Sequence, residues 1–450
     1  MNIRILSPLI LCALMQTFAG VTQPLVTIHA ELDREVLPAD ERQTAVVKIS
    51  LDAAEPPREV KRPPVNLCIV LDRSGSMQGS KIEHAREAAL EALSRLGKQD
   101  VFSLVTYHSS VETLIPAGTI RDIRRARDLI RGIQPGGNTA LFGGVSQGAN
   151  EIRKTLEDHA EGMVHRLILL SDGLANVGPS TPEDLGRLGA SLMKEGISVT
   201  TVGVGNDYNE DLMTQLSQRS DGNSYFVENS NDLARIFNEE IGDVLSVVAR
   251  QVEIIIECPK NVRPVRTIGR DAVIRGQKVK LNLNQLYGRQ EKYLLLEVEV
   301  PPTPAEQELP VVSAVVNYHN IFTQSRESQR ASINARFSQK EEEVLQSVNG
   351  DVQTEYFYNE SANAKDQAIQ LWEEGRREEA KQLLEDNSVR LRQAAEQYEL
   401  PALDLEAANL DTKARDLKKE GLTPSNRKEL RTESYQDRNQ QRVKQSWFQK

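Results

Sequence analysis

Between residues 65 and 227 short apolar runs alternate with segments of helical period, and that alternation leaves few architectures open. Residues 65–71, 101–107, 164–171 and 197–204 are predominantly apolar and strand-like, with shorter strands expected at 111–115 and 224–227. Helical periodicity fills the gaps at about 80–96, 121–131, 140–158, 182–194, 209–218 and 231–248. Strands alternating with helices of this length predict an α/β fold, a doubly wound and mostly parallel sheet.

In such a sheet ligands bind beyond the carboxyl ends of the strands, at the point where the strand order reverses. Asp72-Arg73-Ser74-Gly75-Ser76 follows directly on residues 65–71. Gly136-Gly137-Asn138-Thr139 is a second loop that joins flexible backbone to a hydroxyl, and the strand at 164–171 delivers Asp172-Gly173 at its own end. The fold therefore brings Asp72, Ser74, Ser76, Thr139 and Asp172 toward one edge. A small hard dication wants oxygen donors in a near-octahedral shell and keeps several waters, and this set supplies three neutral hydroxyls and two carboxylates. The plainer reading has Ser74 and Ser76 capping a helix and Asp72 ending a strand. It treats the separate Thr139 and Asp172 loops as coincidence.

Residues 65–248 with this five-residue pattern resemble the von Willebrand factor type A (VWA) domain of secreted bacterial proteins, and the pattern is similar to a complete metal-ion-dependent adhesion site (MIDAS). The resemblance implies direct metal contacts from Ser74, Ser76 and Thr139 and water-mediated contacts from Asp72 and Asp172. It implies Mg²⁺ as the ion, with Mn²⁺ or Ca²⁺ as alternatives. A metal that stays electron-poor at its open position would capture an Asp or Glu carboxylate from a protein partner. A site that holds metal only to stiffen its loops is the other possibility.

The 450 residues exceed one ordinary core. A net charge of −10 gives no concentrated basic face, so nucleic acid is not an expected partner. Arg4, the apolar stretch 5–15 and Thr17-Phe18-Ala19 have the three parts of a secretory signal cleaved after Ala19. An extracytoplasmic location follows, periplasmic or secreted, with membrane contact only if the leader stays uncleaved. Cys68 and Cys258 are expected as two buried thiols.

The expected organisation is a signal peptide at 1–20, strands and a Pro-rich linker at 21–64, the VWA-like domain at 65–248, a β-sandwich-like module at 249–336, a helical region at 337–425 and a basic polar tail at 426–450. Strands are expected at 251–257, 277–283, 291–300 and 309–318 in the module. Residues 25–51 are too few to fold alone, so they should pair with the module and make the VWA-like domain an insertion. Residues 364–372 and 377–384 read as a tetratricopeptide-style hairpin, followed by helices at 388–399 and 403–420. The tail reads as a solvated terminus or as a binder of an acidic partner, with Trp447 and Phe448 able to dock on the body.

Catalytic motifs do not hold up. Gly144-Val145-Ser146-Gln147-Gly148 matches a nucleophile elbow but lies inside an expected helix, not between a strand and a helix. Ser191-Leu192-Met193-Lys194 has no companion motifs, and the series Asp207, Asn209, Asp211 lacks the glycine and closing glutamate of a calcium loop. The six histidines have no ligand spacing. The expectation is a metal-dependent adhesion or assembly protein, not an enzyme. The alternative is an assembly scaffold whose β-module and helical tail carry the binding while the metal is purely structural.

Overall fold

The computed structural model describes residues 24–56, 61–156 and 162–441. The leader with its Ala19 cleavage site, part of the Pro-rich linker, and Trp447 with Phe448 lie outside the described residues. In chain order β1 (Val26–Leu32), β2 (Val36–Pro38) and β3 (Gln43–Ala53) come first. Then follow β4 (Val65–Asp72), α1 (Ser80–Ser94), β5 (Val101–Tyr107), β6 (Val111–Thr119), α2 (Ile123–Arg131), α3 (Leu141–Arg153), β7 (Val164–Ser171), α4 (Pro182–Lys194), β8 (Ile197–Val204), α5 (Glu210–Arg219), β9 (Ser224–Val227) and α6 (Leu233–Leu245). Next come β10 (Val247–Glu257), β11 (Arg263–Ile268), β12 (Val273–Arg275), β13 (Lys278–Tyr287), β14 (Glu291–Val300), β15 (Glu308–Asn320) and β16 (Ser325–Ser338). Five helices finish the described chain: α7 (Glu341–Gln346), α8 (Gly350–Glu373), α9 (Arg377–Tyr398), α10 (Pro401–Glu420) and α11 (Pro424–Arg438).

The α/β part is a sheet of order β6-β5-β4-β7-β8-β9, parallel except for β6. Strand β4 is central because every one of its eight residues is buried. Its side chains alternate between two cores, as period two demands. Val65, Leu67, Ile69 and Leu71 pack with Ile82, Phe237 and Ile241 of α1 and α6. Cys68 and Val70 pack on the other face with Val145 of α3 and Leu212 of α5. The chain passes from β4 to β5 on one side and returns to β7 on the other, so the order reverses at β4. Burial of each such aliphatic side chain contributes about 1.5–3 kcal/mol, which holds the loops at the strand ends on a rigid base.

Small residues bring α3 close to the sheet. A side-chain carbon added at Gly144 would stand 2.7 Å from Tyr107 Cδ1, and one at Gly148 would stand 2.5 Å from Val70 Cγ2. The glycines around Ser146 thus serve packing, and Ser146 sits mid-helix.

The other strands build a sandwich of two sheets, β1-β3-β14-β11 and β12-β13-β10-β15-β16-β2, around one apolar cluster. Strand β3 pairs with β14 over its length, Gln43 with Val300 through Asp52 with Glu291. The VWA-like part is therefore inserted between β3 and β10. Its two crossings meet at Gly288, whose N–H donates to Ser246 O at 2.8 Å. A side-chain carbon on Gly288 would strike Pro56 Cδ at 2.4 Å.

Several expectations change here. The helix at 231–248 stops at Leu245, because Val247 and Val248 start β10, each reaching a different core. The sandwich thus begins ahead of residue 249. Residues 325–338 form β16, for which no strand was expected, since its exposed Arg and Ser side chains mask the strand period. The helices at 377–384 and 388–399 are one, α9, and the hairpin it makes with α8 is far longer than a tetratricopeptide unit.

The polar tail is not a loose terminus over its first part. Residues 424–438 form α11, whose basic residues find an acidic partner in the same chain. Arg427 bonds Glu210 and, at 2.8 Å, Asp211, while Lys428 reaches Glu210 at 2.9 Å. Tyr435 OH donates to Gly222 O at 2.7 Å. These contacts pin the helical region to the β9 edge of the parallel sheet. Cys68 and Cys258 are both buried thiols.

Candidate metal centre

Asp72 is the last residue of β4 and has no solvent exposure. Its Oδ1 accepts from the Ser74 N–H and its Oδ2 from Ser171 Oγ, both at 2.8 Å. Burial pushes the Asp72 carboxyl up to about 6, against the lowering effect of the Ser74 and Ser171 bonds, and the charge of Asp172 adds to the rise. A nearby cation is what would relieve such a group. Burial and the Asp72 charge also hold the Tyr107 phenol well above its usual range.

The loop after β4 then presents Ser74 and Ser76, whose Oγ atoms are 3.0 Å apart. Ser76 Oγ donates to Asp172 Oδ1 at 2.7 Å, which joins the β4 loop to the end of β7. The Thr139 loop is held from both sides. Gly75 N–H donates to Gly137 O at 3.0 Å and Gly136 N–H to Arg73 O at 2.8 Å. Thr139 N–H donates to Asn176 Oδ1 at 2.8 Å, and Asn176 N–H returns a bond to Thr139 O at 3.1 Å. Gly137 has φ +82°, and a side chain there would press on Ser109 Oγ and His108 Nδ1, so glycine is required for this turn.

The hydroxyls surround one point. A carbon placed where a side chain of Gly173 would begin lies 3.1 Å from Thr139 Oγ1, 3.3 Å from Ser76 Oγ and 3.7 Å from Ser74 Oγ. Glycine leaves that volume to something else. Three converging hydroxyls backed by two buried carboxylates fit a small hard cation, and the residues present are compatible with Mg²⁺ on their donor chemistry. Among the described residues no cluster of three or more His, Cys, Asp or Glu offers a metal cage of another kind.

All five residues singled out in the sequence lie at this edge. Three residues of the site carried no sequence signal that was used: Ser171, Asn176 and Lys81. Lys81, in the first turn of α1, turns back so that Nζ donates to Asp172 Oδ2 at 2.6 Å. A lysine one turn beyond the serine loop was the available clue. The Asp207 series resolves as a helix cap, with Asn209 Oδ1 accepting from the N–H groups of Asp211 and Leu212.

Residues 66–239 match the model of the von Willebrand factor type A domain. The chain carries a VWA domain. An uncharacterised Synechocystis protein is 26% identical over 58% of this chain and 62% of its own length. Inter-alpha-trypsin inhibitor heavy chain H3 of Rattus norvegicus is 26% identical over 49% of this chain, which spans only 26% of that protein. In structure, the chain is similar to a von Willebrand factor type A protein from Catenulispora acidiphila, with TM-score 0.70, 18% identity and coverage of 91% of this chain and 96% of that one. That likeness extends the shared fold beyond the VWA domain to the sandwich and the helices.

Proposed function

We propose that the chain is an extracytoplasmic binding protein, not an enzyme, that uses a divalent cation in its VWA domain to capture an acidic group of a protein partner. The observation that carries the reading is the convergence of Ser74, Ser76 and Thr139 on the volume left open by Gly173. The ion would sit among these hydroxyls. Asp72 and Asp172 would act on it from behind, and neutral inner donors would leave it electron-poor toward a carboxylate. Mg²⁺ suits this set best, since it tolerates retained waters. The leader pattern of residues 1–20 supports export, and among the described residues no helix is long and apolar enough to cross a membrane.

Partner choice would fall to the ground beside the ion. Arg73 stands at a groove of about 920 Å³ that continues past Leu114, Arg125, Leu129 and Ile133. Residues flanking the captured carboxylate would lie there, with Arg73, now 3.4 Å from Glu112, free to exchange partners. The test is calorimetric titration of the chelator-treated chain with Mg²⁺, Mn²⁺ and Ca²⁺, alongside Thr139→Ala. Saturable one-site binding lost in the variant is expected. Binding of equal strength in Thr139→Ala would place the ion elsewhere and end the proposal.

A further inference from the structure

We propose that Lys81 is a tethered cation that shares Asp172 with the bound metal, keeping affinity for the free ion low so that firm retention requires the partner's carboxylate. The inference rests on the metal reading above and adds to it a coupling between ion and partner. Asp172 is fully buried and divides its two oxygens: Oδ1 accepts from Ser76 Oγ at 2.7 Å, and Oδ2 accepts from Lys81 Nζ at 2.6 Å. The ammonium has a seat made for it. Gly205, at φ +71° just past β8, has no side chain to intrude, and a carbon added there would stand 3.3 Å from Nζ.

The charges then count as follows. Two carboxylates, Asp72 and Asp172, and one ammonium, Lys81, leave a formal −1 behind the hydroxyls. A divalent ion makes the loaded site +1. One carboxylate from a partner brings it to neutral. Like charges held within a few ångströms in a partly buried setting repel strongly, because the low local dielectric does little to screen them. The side chain of Lys81 is only 26% exposed, so solvent removes part of that repulsion and leaves the rest.

Three variants of the full chain separate this from a purely structural ion pair. Mg²⁺ titration should show Lys81→Met binding about tenfold tighter than the native chain, on the order of 1.4 kcal/mol. Lys81→Gln should also bind tighter, and Lys81→Arg should stay near native. Titrations in acetate in place of chloride, acetate standing in for the partner's carboxylate, should strengthen Mg²⁺ binding more in the native chain than in Lys81→Met. Unchanged or weaker binding in both neutral variants would overturn the inference while leaving the metal site intact, as would equal acetate gains or none. Absence of Mg²⁺ binding in the native chain and in every variant would instead remove the metal reading itself.

Discussion

Replacing Asp72 by Asn should separate the folding cost of the metal site from its binding role. Asp72 is fully buried, and its carboxyl sits at about 6 against an ordinary 3.8. The charge therefore destabilises the metal-free fold by roughly 3 kcal/mol, taking about 1.4 kcal/mol for each of two units. The sign follows from linkage: a carboxyl raised by folding lets stability drain away as pH climbs from 3.8 through 6, and the full penalty stands at pH 8. An asparagine keeps an oxygen for the Ser74 N–H, and Ser171 Oγ can rotate to accept from the new amide, so lost hydrogen bonding costs about 1 kcal/mol. Urea unfolding in chelator at pH 8 should find Asp72→Asn more stable than native by about 2 kcal/mol, and at pH 5 the gap should close by roughly two thirds. Added Mg²⁺ should stabilise only the native chain. A variant less stable than native in chelator, or equal stabilisation of both chains by Mg²⁺, would refute the reasoning.

Two other buried titratable groups make separate predictions. Burial, helped by the Arg250 charge, pushes His165 down to about 4, and its Nδ1 has no hydrogen-bond partner among the described residues. Neutral His165 supports folding fully above pH 6.5 and that support is lost as pH falls to 4, so His165→Leu should flatten an acid limb worth up to about 3 kcal/mol in pH-dependent urea midpoints. Lys365, with no exposure, faces Glu406 at 2.8 Å, Glu433 at 3.2 Å and Asp437 at 3.3 Å. Lys365→Met should cost the helical region about 3–5 kcal/mol by removing the buried cation that these three acids share, read by chemical unfolding; a loss below about 1 kcal/mol would show that the remaining partners and solvent compensate.

The parallel sheet and the candidate metal edge were legible because both follow from local pattern. Residues 65–71 are apolar at every position but Asn66, and a strand of that kind has to lie inside an α/β sheet with Asp72 at its end. The donor set could be assembled from three loops because one topological rule carries all three to the same edge. The inward turn of Lys81 was not legible, since a lysine on the first turn of a helix usually faces water. Strand β16 escaped because its alternating side chains are half-buried and polar. Helix α11 escaped for a different reason: its basic side chains read as a solvated tail until Glu210 and Asp211, some two hundred residues earlier, are placed beside them.

The paired crossings at Gly288 bear on how the molecule would carry load if a partner were captured as proposed. Traction on the metal edge runs down β4 and leaves the VWA domain by two covalent routes, one into β3 and one into β10. Both are interior strands, each in a different sheet, flanked by β1 and β14 or by β13 and β15. Load at such a joint cannot peel an edge strand away one hydrogen bond at a time. It must shear two ladders at once, which makes the sandwich a mechanical anchor that yields late.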